Sequence, residues 1–105
     1  MEKVVRRILI KYGFSKIKKD DRIGWDFTAL KNNQKKLIEL KETTKSEYFR
    51  RNSFSCTKAQ KDFYNKGKLI ILFIYHPIDI GINNFIIYKI IFKNKVIESG
   101  FAKHI

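Results

Sequence analysis

Apolar residues at Val4, Val5, Ile8, Leu9 and Tyr12 recur at helical spacing, which predicts a helix over residues 2–12, and Gly13 stands where a left-handed C-terminal cap would end it. The stretch Ser15–Arg22 is polar and mostly basic and reads as a connector. Ile23–Leu30 and Lys36–Thr43 then read as strands on either side of Lys31-Asn32-Asn33-Gln34. Asparagine tolerates positive φ, so Asn32-Asn33 suits a two-residue hairpin turn. Lys45–Ser55 reads as a charged loop with Tyr48, Phe49, Arg50 and Arg51 embedded in it. Thr57 followed three residues later by Gln60 fits a capping box, opening a helix that runs to about Asn65 and ends at Gly67. Residues 69–75 form a continuous apolar run, as in a strand covered on both faces. A turn-rich stretch, Pro77–Asn83, leads into a further strand over Asn84–Phe92, and residues 95–105 carry no decisive pattern. No internal repeat or low-complexity linker interrupts the chain. The expectation is a single α/β domain over residues 1–105, a central mixed sheet flanked by helices in the order α-β-β-α-β-β.

The hairpin concentrates the candidate chemistry. With Asn32-Asn33 as its turn, opposed residues have numbers summing to 65, which sets Asp26 across from Glu39. Alternation puts Lys41 on the face of Glu39 and turns Trp25, Phe27, Ile38 and Leu40 the other way, into an apolar core. One face is then buried, and the other holds two acids and a lysine. Facing carboxylates repel unless a cation lies between them or one is protonated. A hard divalent cation, Mg²⁺ or Mn²⁺, resolves the conflict, because it takes carboxylate oxygens and keeps waters for a substrate phosphate. The backbone carbonyl of Leu40 is a further oxygen for such an ion. Lys41 would orient or activate an attacking water, or stabilise negative charge building on phosphorus. The bland counterpart is a solvated hairpin face whose cross-strand ion pair is worth less than about 1 kcal/mol, and it predicts no metal dependence.

Gly24-Trp25-Asp26-Phe27, the hairpin, and Ile38-Glu39-Leu40-Lys41 together resemble the PD-(D/E)xK nuclease superfamily, whose members include restriction endonucleases, archaeal Holliday junction resolvases and RecB-like exonucleases. The order helix, hairpin, helix, strand is similar to that family's core. No proline precedes Asp26; Trp25 stands there. The resemblance covers residues 1 to about 76 and implies a restriction-endonuclease-like fold that hydrolyses nucleic-acid phosphodiesters with a metal. Asp26 and Glu39 would be metal ligands and Lys41 the catalytic lysine. Glu2 falls on the first helix, where several subfamilies carry another acidic ligand, and is otherwise a favourable charge at a helix N-terminus. Gln60 and Tyr64 form Q-x-x-x-Y, similar to the motif that follows the lysine in RecB-like members, and are otherwise a capping residue and a packed aromatic. The final 29 residues resemble no subfamily feature.

Composition narrows the partners. The chain's 105 residues hold 23 Lys+Arg against 10 Asp+Glu, a formal charge of +13, while 44% hydrophobic content sets it apart from disordered basic tails. An excess of this size points to a polyanion, nucleic acid foremost, although AT-rich codon usage also enriches Lys, Asn and Ile. Lys16, Lys18, Lys19 and Arg22 on one side of the hairpin, and Arg50 and Arg51 on the other, are candidate phosphate contacts. Tyr48, Phe49 and Tyr64 are aromatics that either meet the nucleic acid, stacking on a base or wedging a junction, or cover core. One cysteine, Cys56, excludes an internal disulfide and a multi-cysteine zinc site and fits a reducing compartment. His76 and His104 lack ligand spacing. Charges at Glu2, Lys3, Arg6 and Arg7 break any signal-peptide core, and the longest apolar run, Leu69–Tyr75, falls far short of the ~20 residues of a membrane helix. The expectation is a cytoplasmic Mg²⁺- or Mn²⁺-dependent nuclease cutting DNA, structure-specific in the manner of a junction resolvase, and a homodimer through Phe85–Phe92. Its alternatives are a non-catalytic nucleic-acid-binding module of the same fold and an RNA endonuclease.

Overall fold

The computed structural model describes residues 1–22 and 24–104, so the expected strand start at Ile23 lies outside the described residues, as does Ile105. A helix α1 (Glu2–Lys11) leads into strands β1 (Ser15–Arg22), β2 (Trp25–Lys31) and β3 (Gln34–Thr43). Two helices follow, α2 (Ser46–Arg50) and α3 (Lys58–Asn65), then β4 (Leu69–Tyr75), a 3₁₀ turn (Pro77–Ile80), β5 (Phe85–Phe92) and β6 (Lys95–Lys103). The strands form one six-stranded sheet in sequence order. All neighbours are antiparallel except β3 and β4, which run parallel and are joined by the α2–α3 crossover. The mixed α/β architecture is as expected; its order has an extra strand at each end and an extra helix in the middle. None of the helices among the described residues is long and apolar enough to cross a membrane.

The amphipathic pattern of α1 buries Val4, Val5, Ile8 and Leu9 against Phe27, Ile38, Ile70, Leu72 and Ile74 on one face of the sheet. The opposite face packs Leu37, Ile71, Phe73 and Tyr75 against Phe49 of α2 and Phe63 and Tyr64 of α3. Covered on both sides, every residue of β4 is buried, which is why its sequence runs apolar without alternation. Gly13 (φ +89°) and Gly67 (φ +68°) both stand just past a helix end in left-handed geometry.

Three segments differ from the sequence expectation. Ser15–Arg22 is an edge strand rather than a connector, with register breaks between Ser15 and Lys18 and between Lys19 and Arg22, and with Lys16 at φ +49°. Irregular, lysine-rich edges resist pairing with other chains, and the same features remove the apolar alternation that marks a strand. Lys45–Ser55 contains α2, whose ends are satisfied from a distance. Asp79 accepts from the Ser46 amide at 3.1 Å, and the Lys89 ammonium donates to the Phe49 carbonyl at 2.7 Å and to the Asn52 side chain at 2.9 Å. Finally, residues 95–103 form β6, returning from β5 through Lys93-Asn94, both at positive φ. β5 is therefore paired on both edges and buries Ile86, Tyr88, Ile90 and Ile91 within the domain, which leaves the expected dimer strand no free edge.

Candidate active site

The β2–β3 hairpin sets the site. Asn32 and Asn33 take φ +53° and +61°, the primed turn that matches strand twist, and the ladder runs Lys31↔Gln34 to Phe27↔Ile38, every pair summing to 65. Asp26 and Glu39 lie one step beyond the last of these pairs. The Asp26 carboxylate accepts from the Leu40 amide at 2.9 Å, which pins it against β3. Parity in β3 places Glu39 and Lys41 on the face covered by α3, beside Ile71 and Phe73 of β4.

Helix α3 completes the cluster through its own capping box. The Thr57 hydroxyl accepts from the Gln60 amide at 3.2 Å, and the Gln60 side-chain oxygen accepts from the Thr57 amide at 3.0 Å. That same oxygen accepts from the Lys41 ammonium at 2.9 Å, while the Gln60 side-chain Nε2 donates to Glu39 Oε2 at 2.8 Å. Lys41 Nζ lies 3.4 Å from the same Glu39 oxygen. One glutamine thus starts a helix and holds both an acid and a lysine. At Glu39 and Lys41 the hairpin face is accordingly covered: Glu39 is 7% exposed and the Lys41 side chain 18%.

Burial, first, and then the charge of Asp26 and a hydrogen bond shared with it push the Glu39 carboxyl up to about 7, with Lys41 acting in the opposite direction. Two carboxylates that resist sharing a negative charge are a fitting donor set for a hard dication. Among the described residues no group of three or more His, Cys, Asp or Glu side chains is placed to hold a metal. Cys56 lies close enough to feel both Lys41 and Glu39, and burial raises its thiol above the ordinary value, which keeps it protonated at neutral pH.

The other candidates are scattered. Glu2 pairs with Arg6 at 3.1 Å on the helix that covers the opposite face of the sheet. Tyr64 packs against Phe54, and its hydroxyl accepts from the Asn94 amide at 2.8 Å, so it braces the β5–β6 turn. Phe49 is core. Trp25 packs edge to face on Phe63 at 5.6 Å and donates to Asp20 at 3.0 Å, on the side of Glu39 rather than opposite, past the point where the β2–β3 ladder ends at Phe27. Lys16, Lys18 and Lys19 are exposed on β1; the Arg22 side chain lies outside the described residues. Arg50 is exposed, and Arg51 is paired with Glu47 at 3.0 Å. Tyr48 is exposed at the mouth of a cleft of about 560 Å³ that Lys41 also lines.

Lys35 joins Lys16, Lys18, Asp20 and Thr28 around a second, open depression. The hairpin arithmetic contains it, since Lys35 shares the parity of Leu37, Glu39 and Lys41. The nearness of Cys56 to the cluster has no such signal, because it depends on where α3 begins. No family model matches the chain, and neither the curated proteins nor the solved structures hold a match to it.

Proposed function

We propose that this chain is a metal-dependent nuclease that hydrolyses phosphodiester bonds of DNA, with Asp26, Glu39 and Lys41 in the roles that the PD-(D/E)xK resemblance implies. The observation that carries the reading is the set formed by buried Glu39 and the half-buried Asp26 and Lys41 beside it, with Gln60 holding Glu39 and Lys41 and the Leu40 amide holding Asp26. Buried charge is costly, and a structural ion pair would not need a second carboxylate beside the first. Asp26 and Glu39 would hold Mg²⁺ or Mn²⁺, with oxygens of water and backbone filling the remaining positions. When bound, the cation supplies Lewis-acid polarisation of the phosphoryl group and neutralises charge on it.

The chain's own residues do the rest. The Leu40 amide fixes the rotamer of Asp26, and Gln60 fixes Glu39 and Lys41 relative to each other. An ammonium carries three donors, so Lys41, with Gln60 and Glu39 as partners, retains one to orient water or meet charge developing on phosphorus. Exposed Lys16, Lys18 and Lys19 on β1 and Lys35 on β3 would follow the phosphate backbone without reading sequence. The net charge of +13 supports that partner.

The test is cleavage of labelled single-stranded, duplex, flap and four-way-junction DNA, and of RNA, in Mg²⁺, Mn²⁺ or EDTA. Metal-dependent DNA cutting that falls at least about 100-fold in Lys41→Ala and in Asp26→Asn is the expected result. Binding without cutting in any metal would make the chain a non-catalytic binding module, and cutting confined to RNA would overturn the choice of substrate.

A further inference from the structure

Lys41 is shared between the carboxylate cluster and the adjoining cleft, whose volume of about 560 Å³ falls within the ~300–1,000 Å³ usual for ligand pockets. Its apolar part is formed by Phe73 of β4 and Phe54, whose rings meet edge to face at 5.2 Å. Thr43, Ser53, Ser55 and Tyr48 supply hydroxyl-bearing walls, and Glu42, whose carboxylate lies 2.7 Å from His76 Nε2, adds an acidic group to the lining. Tyr48 is the informative member. Helix α2 turns the neighbouring Phe49 into the core at 8% exposure and leaves Tyr48 at 52%. A large aromatic left in water adds little to folding, yet it offers a flat platform with few rotamers to freeze.

An apolar floor with hydroxyls and the Glu42 carboxylate around it matches a nucleobase, which has two apolar faces and a polar edge carrying amino donors as well as acceptors. Exposed Lys45 and Arg50 flank Tyr48 along the chain, with neighbouring Glu47 paired to Arg51 at 3.0 Å, and would provide charge for the phosphates on either side of such a base. A base stacked inside a continuous duplex presents only its groove edge and cannot enter a cleft of this kind without leaving the stack.

We propose that the cleft beside Lys41 receives one unpaired nucleobase of the bound DNA strand, stacked on Tyr48, next to the phosphate to be cut. The substrate class is then DNA with an unpaired nucleotide at the cleavage point, as in a single strand, a flap or an open junction. The identity of the neighbouring phosphate rests on the nuclease reading; the stacking does not.

The two parts can therefore fail separately. Binding is measured in EDTA with three oligonucleotides carrying 2-aminopurine: a single strand, a fully paired duplex, and a duplex with one extrahelical 2-aminopurine. Wild-type protein should bind the first and third at least about 5-fold more tightly than the duplex and quench their fluorescence. Tyr48→Ala should lose at least about 5-fold on those two and restore the fluorescence, Tyr48→Phe should behave as wild type, and duplex binding should change in neither. Equal affinity for all three ligands, or indifference to Tyr48→Ala, overturns the assignment. Absence of cutting in every metal would remove the nuclease reading and leave the stacking result intact, whereas metal-dependent duplex cutting that ignores Tyr48→Ala and outpaces the unpaired substrates would remove the cleft assignment alone.

Discussion

Occupying the carboxylate pair with a dication should expel a proton, and the pH at which it does so follows from the geometry. The Glu39 carboxyl, raised to about 7 by burial and by Asp26, is about half protonated at pH 7, about nine-tenths at pH 6 and about one-tenth at pH 8. A metal binds only the ionised form, so Mg²⁺ should release about 0.9, 0.5 and 0.1 proton per site at those three values, and its apparent affinity at pH 6 should be about 10-fold weaker than at pH 8. Isothermal titration calorimetry in two buffers of different ionisation enthalpy gives the proton count directly. Glu39→Gln should abolish the release. Mg²⁺ binding with no proton release at pH 6 would refute the electrostatic argument, and no binding at any pH would remove the metal from the mechanism.

The same group contributes a pH dependence to the stability of the metal-free protein. Its folded value of about 7 lies above the ordinary 4.5, so between those limits the folded state holds more protons than the unfolded one and stability must fall as pH rises, levelling off above 7. The span corresponds to a ceiling on the order of 3 kcal/mol, visible as the difference between wild type and Glu39→Gln in urea melts at pH 5 and pH 8. A difference that does not change with pH would contradict it. Gln60→Ala removes the side-chain half of the capping box, while the Thr57 hydroxyl keeps its bond to the backbone amide of residue 60, and leaves Glu39 and Lys41 without a neutral partner, so it should cost on the order of 2–3 kcal/mol in denaturant unfolding and abolish cleavage. Thr57→Ala removes the cap alone and should cost about 1 kcal/mol while cleavage persists. Asn33→Val puts a β-branched residue at φ +61° and should destabilise by about 1–2 kcal/mol without changing metal binding; a smaller loss would mean that the turn relaxes.

What the sequence reveals here is whatever depends on local geometry. The sum-to-65 register needs only the two asparagines of the turn, the end of α1 needs only Gly13, and the capping box is carried by Thr57 and Gln60. The segments that escape are those stabilised from afar. β1 shows no alternation because its bulges and lysines belong to an exposed edge. Five-residue α2 has no capping signal of its own, since Asp79 and Lys89, some 30 to 40 positions away, satisfy its ends. The hairpin arithmetic places Asp26 near Glu39 and Lys41 beside it, but it cannot show that α3 closes over them. For that reason the hairpin alone does not show that Glu39 is buried.

The burial of Glu39 is a local conflict. β3 is an interior strand, paired with β2 and β4 and covered on both faces, a setting in which Leu37, Ile38 and Leu40 are the expected kind of residue and Glu39 and Lys41 are not. Apolar substitutes at those two positions would continue the sheet's own packing and remove a desolvation cost that ion pairing alone does not offset. The chain instead spends the capping glutamine of α3 on satisfying them, and sets Asp26 where its charge makes Glu39 still harder to ionise. A second carboxylate in that position only adds to the cost if the site is structural, and it becomes favourable once a dication shares the pair. A local inconsistency of that kind is what supports the proposal of chemistry at this cluster.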